Sequence, residues 1–357
     1  MVLSLTFVVA CKEEPPKPEP PCTEYTQTPL EIVSPPGFPP MPIPTDNPMT
    51  KEGVRLGRML FWDPILSIDS TLACAGCHSP DAAFAENISV SVGTSNIAGK
   101  RNSMPLFNLG WVPEFTWDGR ALTLEEQIFE PVPNPIEMNL DWNLAAEKLN
   151  SHPDYPDLFN RAFNICEDVD STHVSKAIAQ FLRTMISAGS KYDKAVYGNG
   201  SVQLTDAELD GFDIFQNDGD DDGHCQHCHG SILFSTIDNY FRNNGLEDIV
   251  DISEYADPGL GAVTGNAEDF GKFKAATLRN IELTAPYMHD GRFATLDEAI
   301  DHYISGGHNP PNLDIIMTTD ILGGLSLPPG GKEDLIAFLK TLTDWEFVND
   351  TSFQSPF

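Results

Sequence analysis

The sequence contains CAGCH at positions 74–78 and a second stretch of the same form, CQHCH, at positions 225–229. Each stretch places two cysteines three positions apart, with a histidine directly after the second. Two thiols at this spacing can each form a thioether to one porphyrin edge, and the following imidazole can reach the iron from one side. The pattern predicts two covalently bound c-type haems. The expected attachment points are Cys74, Cys77, Cys225 and Cys228, and the expected proximal iron ligands are His78 and His229.

A single Cys-x-x-Cys pair would also suit a redox dithiol or half of a zinc site. Four cysteines could bind one zinc ion, but a zinc site does not require a histidine after each pair. The two complete motifs lie in different halves of a 357-residue chain, which is long enough to bury two cores. We therefore favour haem over zinc and expect one haem in each of two domains.

The chain carries 53 acidic and 21 basic residues, a formal net charge of −32. Such a surface repels nucleic acid and anionic membranes, so both are excluded as partners. It would attract a basic protein partner, although the same composition also suits the solubility of an ordinary secreted protein.

The N-terminal sequence suggests export. A short apolar run ends in Val-Ala-Cys at positions 9–11, which resembles a bacterial lipoprotein signal with Cys11 as the lipidated residue. The run has no Lys or Arg before it, and a trimmed ordinary signal peptide is the alternative. Haem c is attached outside the cytoplasm, so we expect a periplasmic protein or an anchored lipoprotein facing away from the cytoplasm. Cys22 and Cys166 could form a disulfide in that compartment.

The hydrophobic patterns predict a mostly α-helical chain. The signal would span residues 1–11 and a proline-rich, extended linker residues 12–48. An N-terminal haem domain would cover residues 49–200 and a C-terminal haem domain residues 201–350, with a tail at 351–357. Capping boxes at Thr205–Glu208 and Thr295–Glu298 mark two helix starts in the second domain. No apolar stretch reaches the roughly 18 residues that a membrane-spanning helix needs.

Between residues 50 and 345, ordered sequence blocks resemble the bacterial di-haem cytochrome c peroxidase and MauG family. The blocks are LGRMLFWDPILS (56–67), RNSMPLFN (101–108), FTWDGRA (115–121), NPIEM (134–138), FKAATLRN (273–280) and TAPYMHDGR (284–292). The resemblance implies two cytochrome-c-like domains with a haem-bearing interface between them.

The resemblance implies that the first haem reduces peroxide. Many members close this haem with a loop histidine before the segment GKRN, residues 99–102, but the matching position here is Thr94. The sequence has no histidine between His78 and His152. We therefore expect an open first haem. The family's catalytic base matches Glu137, and a neighbour in its distal pocket matches Gln127.

The second haem is expected to be closed. Where most members carry a methionine ligand, this sequence has Tyr303, which resembles the MauG branch. A phenolate favours ferric iron and higher oxidation states, whereas methionine favours ferrous iron. Other candidate ligands remain open: Met288, Met317, His302 and His308.

Two further features are implied by the resemblance. Trp117 matches the tryptophan that relays electrons between the haems. One calcium ion between the haems would be bound by the Asn102 side chain and the carbonyl groups of Thr284 and Pro286, and oxygen ligands suit calcium. Met104 stands where the family usually has proline, which is a departure close to Asn102.

The first hypothesis is a peroxidase that reduces hydrogen peroxide to water with electrons from a small, basic donor, a cytochrome c or a cupredoxin. The second is a MauG-like oxidase that acts on a partner protein or an organic substrate through high-valent haems. The third is a non-enzymatic di-haem electron carrier or sensor. Family members are often dimers, so a homodimer is also considered.

Overall fold

The computed structural model describes residues 23–217, 219, 223–236 and 240–357. The expected signal segment, Cys11 and Cys22 lie outside the described residues. Cys166 is disulfide-bonded. Within the described part of the chain, no helix is long and apolar enough to cross a membrane.

The described chain is mostly helical, as expected. Its first half contains α1 (Lys51–Trp62), α2 (Cys74–Cys77), α3 (Leu124–Phe129), α4 (Trp142–Ser151), α5 (Tyr155–Phe163) and α6 (Ser171–Thr184). Its second half contains α7 (Lys191–Tyr197), α8 (Asp206–Gln216), α9 (Gln226–His229), α10 (Leu260–Thr264), α11 (Leu296–Ile304), α12 (Gly331–Lys340) and α13 (Trp345–Val348). Two short strands, β1 (Phe241–Arg242) and β2 (Phe273–Lys274), pair antiparallel.

The first core forms around the pair α1 and α6. The Thr50 hydroxyl caps α1 by accepting a hydrogen bond from the Gly53 amide at 3.0 Å. Gly57 faces α6 so closely that a side-chain carbon there would overlap the carbonyl oxygen of Ala177. The two backbones can pack at this distance only because Gly57 has no side chain.

The second core repeats this arrangement with α8 and α12. Gly211 of α8 lies against the backbone of Asp334 in α12, where a side-chain carbon would overlap the Asp334 carbonyl oxygen. The capping boxes expected at Thr205–Glu208 and Thr295–Glu298 begin α8 and α11. Each motif of the form Cys-x-x-Cys-His therefore belongs to a domain built on one tight helix pair.

Residues 23–48 differ from the extended tether expected from their prolines. The Phe38 ring packs 4.9 Å from Trp111, and Asn47 is buried where its side-chain amide donates to Glu125 at 2.6 Å. Proline restricts the chain to extended conformations but does not prevent aromatic and amide side chains from packing. This segment is therefore part of the folded protein.

The C-terminus also departs from the expected boundaries. Phe347 and Phe353 are buried in the first core, although the chain just before them belongs to the second. The Trp62 indole donates to the carbonyl of Phe353 at 3.0 Å. Conversely, Tyr192, expected in the first domain, packs in the second core. The chain thus crosses between the domains near residues 190 and 344, which ties them together.

Arg279→Met should destabilise the second domain by about 3–5 kcal/mol, because Arg279 is fully buried and forms a two-pronged ion pair with Asp193 at 2.8 and 2.9 Å. Removing the cation leaves a buried carboxylate without its countercharge. Urea unfolding of the haem-loaded protein measures the effect. The control Arg161→Met breaks an exposed pair with Asp157 and should cost far less stability. Equal losses of unfolding free energy in the two variants would contradict the assignment of a stabilising role to the buried Arg279–Asp193 pair.

Candidate haem-binding active site

The first motif forms the single helical turn α2 followed by His78. The Nδ1 atom of His78 lies 2.9 Å from the carbonyl oxygen of Phe84, so this nitrogen acts as the donor in the neutral ring. Burial lowers the pKa of His78 to about 4, which keeps the imidazole neutral. Its Nε2 atom is thereby left as the nitrogen that could bind iron, oriented by the hydrogen bond at the other end of the ring.

The second motif repeats this geometry in α9. The Nδ1 atom of His229 lies 3.2 Å from the carbonyl oxygen of Phe234, and burial lowers the pKa of His229 to about 4. Phe84 and Phe234 both adopt left-handed backbone conformations, with φ of 59° and 50°. The same turn thus orients the histidine of both motifs.

The two cysteine pairs lie in different domains. Cys74 packs against the first core and Cys225 against the second. Burial raises the pKa of both thiols to about 12 and that of Cys77 to about 11, so they are not thiolates of the kind that a redox dithiol needs. Four cysteines divided in this way do not form one zinc site.

A large, mainly apolar cavity lies beside the second motif. Its walls include Cys225, Cys228, His229, Tyr303 and Trp117. Thioether-forming cysteines, a neutral imidazole and apolar walls together suit a covalently bound porphyrin. The donor set therefore fits a haem c at this position.

Tyr303 lies on the wall of the same cavity as Cys225 and Cys228. Burial raises the pKa of Tyr303 to about 12, whereas a hydrogen bond from the Asn244 side-chain amide, at 3.2 Å, lowers it. Asn244 therefore provides a donor that would stabilise a phenolate. Because Asn244 lies 59 residues from Tyr303 in an irregular segment, sequence reasoning missed it.

Among the alternative ligands, the two histidines are less well placed, whereas the two methionines share the cavity with Tyr303. His302 uses its Nε2 atom in a contact with the Asn244 carbonyl at 2.8 Å, and His308 is exposed. Met288 and Met317 line the cavity. The Met288 sulfur accepts a hydrogen bond from Asn244 at 3.4 Å.

Glu137 lies close enough to the first motif for its charge to act on Cys74 and Cys77. The Asn134 side-chain amide donates to the Glu137 carboxylate at 2.6 Å. Burial raises the pKa of Glu137, and the charge of Arg120 opposes the rise. This carboxyl group is thus held in place beside the first attachment motif, with a pKa raised above the ordinary glutamate value.

The loop that carries a histidine in many family members packs against Glu137. Both the amide and the hydroxyl of Thr94 donate to the Glu137 carbonyl, at 2.9 and 3.1 Å. A side-chain carbon on Gly93 would overlap the carbonyl oxygens of Ile136 and Glu137. The loop therefore adjoins the segment around Glu137 without offering a histidine at position 94.

Gln127 lies in α3, and its side-chain oxygen is buried without a hydrogen-bond partner among the described residues. Buried polar atoms are rarely unpaired in folded proteins. An unpaired acceptor oxygen of this kind could take a hydrogen bond from a small hydroxylic molecule.

A short chain of contacts connects the two motifs. The Ser103 hydroxyl donates to the carbonyl of Cys77 at 2.9 Å, and the adjacent Asn102 carbonyl accepts from the Trp117 indole at 2.8 Å. Trp117 lines the cavity of the second motif and accepts from the Lys274 amide at 2.9 Å. Trp117 therefore lies between the attachment segments of both haems.

Arg101 connects the segment that carries Trp117 to the second domain through ion pairs. Its guanidinium donates to Asp118, next to Trp117, at 2.6 Å and to both oxygens of Asp257 at 2.7 and 2.8 Å. Paired hydrogen bonds to carboxylates restrict the orientation of both groups.

The cavity beside the second motif is lined by all three groups expected to bind calcium: Asn102, Thr284 and Pro286. The Asn102 side-chain nitrogen donates to the carbonyls of Ile88 and Ser89 at 3.0 and 3.3 Å. That orientation leaves its side-chain oxygen for another partner.

Two helical domains, each with one haem-attachment motif, define a di-haem c-type cytochrome. The family model for di-haem cytochrome c peroxidase matches residues 51–201. The methylamine utilization protein MauG of Methylorubrum extorquens is 35% identical over 304 residues, covering 85% of this chain and 81% of that protein. The cytochrome c551 peroxidase of Nitrosomonas europaea is 33% identical over 308 residues, covering 85% and 83%. The chain belongs to the di-haem cytochrome c peroxidase family.

Solved structures agree with this assignment. A MauG-like protein associated with microbial copper homeostasis has a TM-score of 0.83 at 35% identity, covering 92% of this chain and 99% of that one. The diheme peroxidase BthA from Burkholderia thailandensis has a TM-score of 0.72 at 22% identity, which shows the fold alone. The predictions of a mostly helical di-haem fold, two haem c groups and an oxidoreductase of this family are confirmed.

Proposed function

We propose that this protein is an exported peroxidase that reduces hydrogen peroxide to water with electrons from a small, basic redox protein, a cytochrome c or a cupredoxin. The observation that carries the proposal is the asymmetry of the two sites. Glu137 is held beside the first motif, next to a loop with no histidine, whereas Tyr303 lines the cavity that contains the second motif.

Reduction of one hydrogen peroxide molecule consumes two electrons and two protons and yields two water molecules. When bound, the first haem supplies the iron centre for this reduction. Glu137 accepts the proton of the near peroxide oxygen and returns it to the leaving oxygen, which departs as water. Asn134 fixes the carboxylate in position, and the Gln127 side-chain oxygen accepts a hydrogen bond from the incoming peroxide.

Electrons enter through the second domain and pass Trp117, which lies between the motifs. A protein of net charge −32 attracts a basic donor, and salt screens that attraction. Stopped-flow mixing of the haem-loaded protein, peroxide and either reduced cytochrome c or reduced cupredoxin tests the proposal. We expect donor oxidation that slows as salt is added. An absence of turnover with both donors, in protein carrying both haems, would refute it.

Thr94→His should close the first site. A histidine at this position would replace a side chain that already contacts the Glu137 segment and would supply the missing iron ligand. We expect the resting ferric spectrum of the first haem to become low-spin and peroxide turnover to fall at least about tenfold. Ser95→His, at the adjacent exposed position, is the matched control and should change neither. Retention of a high-spin spectrum in Thr94→His would contradict this geometry.

A second candidate function is oxidation of a partner protein or organic substrate, as in the MauG branch, and Tyr303 is the observation that favours it. The two candidates differ in how the protein behaves after peroxide is added without a donor. A spectral change in both haems that persists for minutes favours substrate oxidation, whereas rapid return to the resting spectrum on adding reduced cytochrome c favours the peroxidase. The family consists of oxidoreductases, which disfavours the carrier or sensor alternative.

We further propose one calcium ion at Asn102, Thr284 and Pro286, supported by their position in the lining of one cavity and by the orientation of the Asn102 amide. Elemental analysis of purified protein should find one calcium per chain. Its loss in Asn102→Ala, with both haems retained, would support this set of ligands.

We also propose export with lipidation at Cys11, which mass spectrometry of the mature N-terminus tests.

A further inference from the structure

A second group of potential metal ligands lies beside the second motif and has no role assigned above. His224 and His227 flank Cys225, and Asp320 comes from the π-helical turn Met317–Ile321. The ligand atoms of the three side chains all lie within 4.8 Å of one another. Among the described residues, this is the one group of at least three His, Cys, Asp or Glu side chains that converges in this way.

The two imidazoles are held in a fixed relation. The rings are nearly parallel, 14° apart, with centroids separated by 5.9 Å. The His227 amide donates to the His224 carbonyl at 3.4 Å, so one turn of chain carries both rings. The Nδ1 atom of His224 is buried and has no hydrogen-bond partner among the described residues. A buried imidazole nitrogen without a partner costs free energy that a ligand could recover.

The chemistry of these three groups selects a particular class of ion. Two imidazoles and one carboxylate suit Zn²⁺ or Cu²⁺, whereas calcium and magnesium prefer oxygen ligands alone. Three protein ligands leave a coordination position for water. The net charge of −32 further favours cation binding.

We propose that His224, His227 and Asp320 form a binding site for a divalent zinc- or copper-class ion on the outer side of the second haem pocket. The ion would connect the attachment segment of the second haem to the turn Met317–Ile321. His224, Met317 and Ile321 all line the cavity beside Tyr303, so the ion closes this wall of the pocket. It also places positive charge next to the second haem. The site does not depend on the peroxidase activity proposed above.

Titration of the haem-loaded protein with zinc sulfate, followed by calorimetry, tests the site. We expect one zinc ion per chain with micromolar or tighter affinity, and a melting temperature that rises with zinc concentration. His227→Gln and Asp320→Asn should each weaken binding by at least about tenfold. His308→Gln removes an exposed histidine near Asp248 elsewhere in the protein and should leave binding unchanged.

Electron paramagnetic resonance after addition of one equivalent of copper(II) identifies the ligands. We expect coupling to two imidazole nitrogens, reduced to one in His227→Gln. Absence of saturable zinc binding would overturn the proposal and indicate that His224 instead contacts the haem. Binding of equal strength in the parent protein and in Asp320→Asn would also overturn it. Asp320 lies outside the attachment motif, so the outcome remains decisive even if His227→Gln impairs haem loading.

Discussion

Glu137→Gln should lower the rate of peroxide reduction by about 10²–10⁴-fold while both haems remain attached, because general acid–base catalysis typically contributes this much. Glutamine keeps the size of the side chain and can still contact Asn134, whose amide lies 2.6 Å from the carboxylate. It cannot take a proton from peroxide at neutral pH. Stopped-flow measurement of donor oxidation, with the haem content determined by absorbance, provides the rate.

The pH profile of the parent protein should carry the signature of the same residue. Glu137 acts as a base in its ionised form, which predominates above its pKa. Burial raises that pKa, so activity should be lost, as pH falls, at a higher pH than the ordinary glutamate value of about 4.3 would give. This acid limb should be absent in Glu137→Gln.

Glu130→Gln is the matched control for Glu137→Gln. Glu130 is a half-exposed carboxylate that pairs with Arg120 at 3.4 Å, and its charge also acts on Glu137. Its removal should leave the rate within about twofold of the parent, since exposed pairs contribute little. Similar losses of activity in both glutamine variants would show that charge in this region, rather than proton transfer by Glu137, supports turnover.

Tyr303→Phe should raise the reduction potential of the second haem by on the order of 0.1 V or more, within the range of about 0.8 V that axial ligands span. A phenolate ligand stabilises ferric iron, and phenylalanine removes only the oxygen that would bind. The absorption spectrum of the second haem should change with the loss of this ligand. Spectroelectrochemical titration of the parent and the variant gives both quantities.

Tyr287→Phe provides a control within the same cavity. The Tyr287 hydroxyl donates to the carbonyl of Ile281 at 2.9 Å rather than facing an iron ligand position. Its loss should cost about 0.5–1.5 kcal/mol of stability and leave the potential of the second haem unchanged. An unchanged potential in Tyr303→Phe would instead identify Met288 or Met317, which line the same cavity, as the ligand.

Glu137→Gln and Tyr303→Phe together test one idea, that two motifs of the same form serve different purposes. The motifs themselves are equivalent, since each histidine is neutral and is oriented by a phenylalanine carbonyl. The difference comes from the side chains that face them, Glu137 in one domain and Tyr303 in the other. The proposed division between catalysis and electron entry therefore depends on residues distant from the motifs in sequence.

The haem-attachment segments were predictable because their chemistry is local. Two thioethers and an adjacent imidazole require a fixed spacing along a few residues, whatever surrounds them. The helix starts at Thr205 and Thr295 were predictable for the same reason, since a capping box joins residues only three positions apart. The roles expected for Glu137, Thr94 and Tyr303 were inferred from resemblance to a family. That resemblance depends on the order of sequence blocks, which reflects a shared fold.

The tertiary structure alone decided which distant groups meet. Asn244 contacts Tyr303 across 59 residues, and Arg101 reaches Asp257 in the other domain. Composition suggested that residues 23–48 were an extended tether, yet Phe38 and Asn47 pack into the fold, and Phe353 returns to the first core. Such contacts depend on how separate segments fill shared space, and no local pattern of residues encodes that packing. The sequence by itself thus predicted where two haems attach, because that chemistry is local, and the packed structure decided which side chains surround each attachment motif.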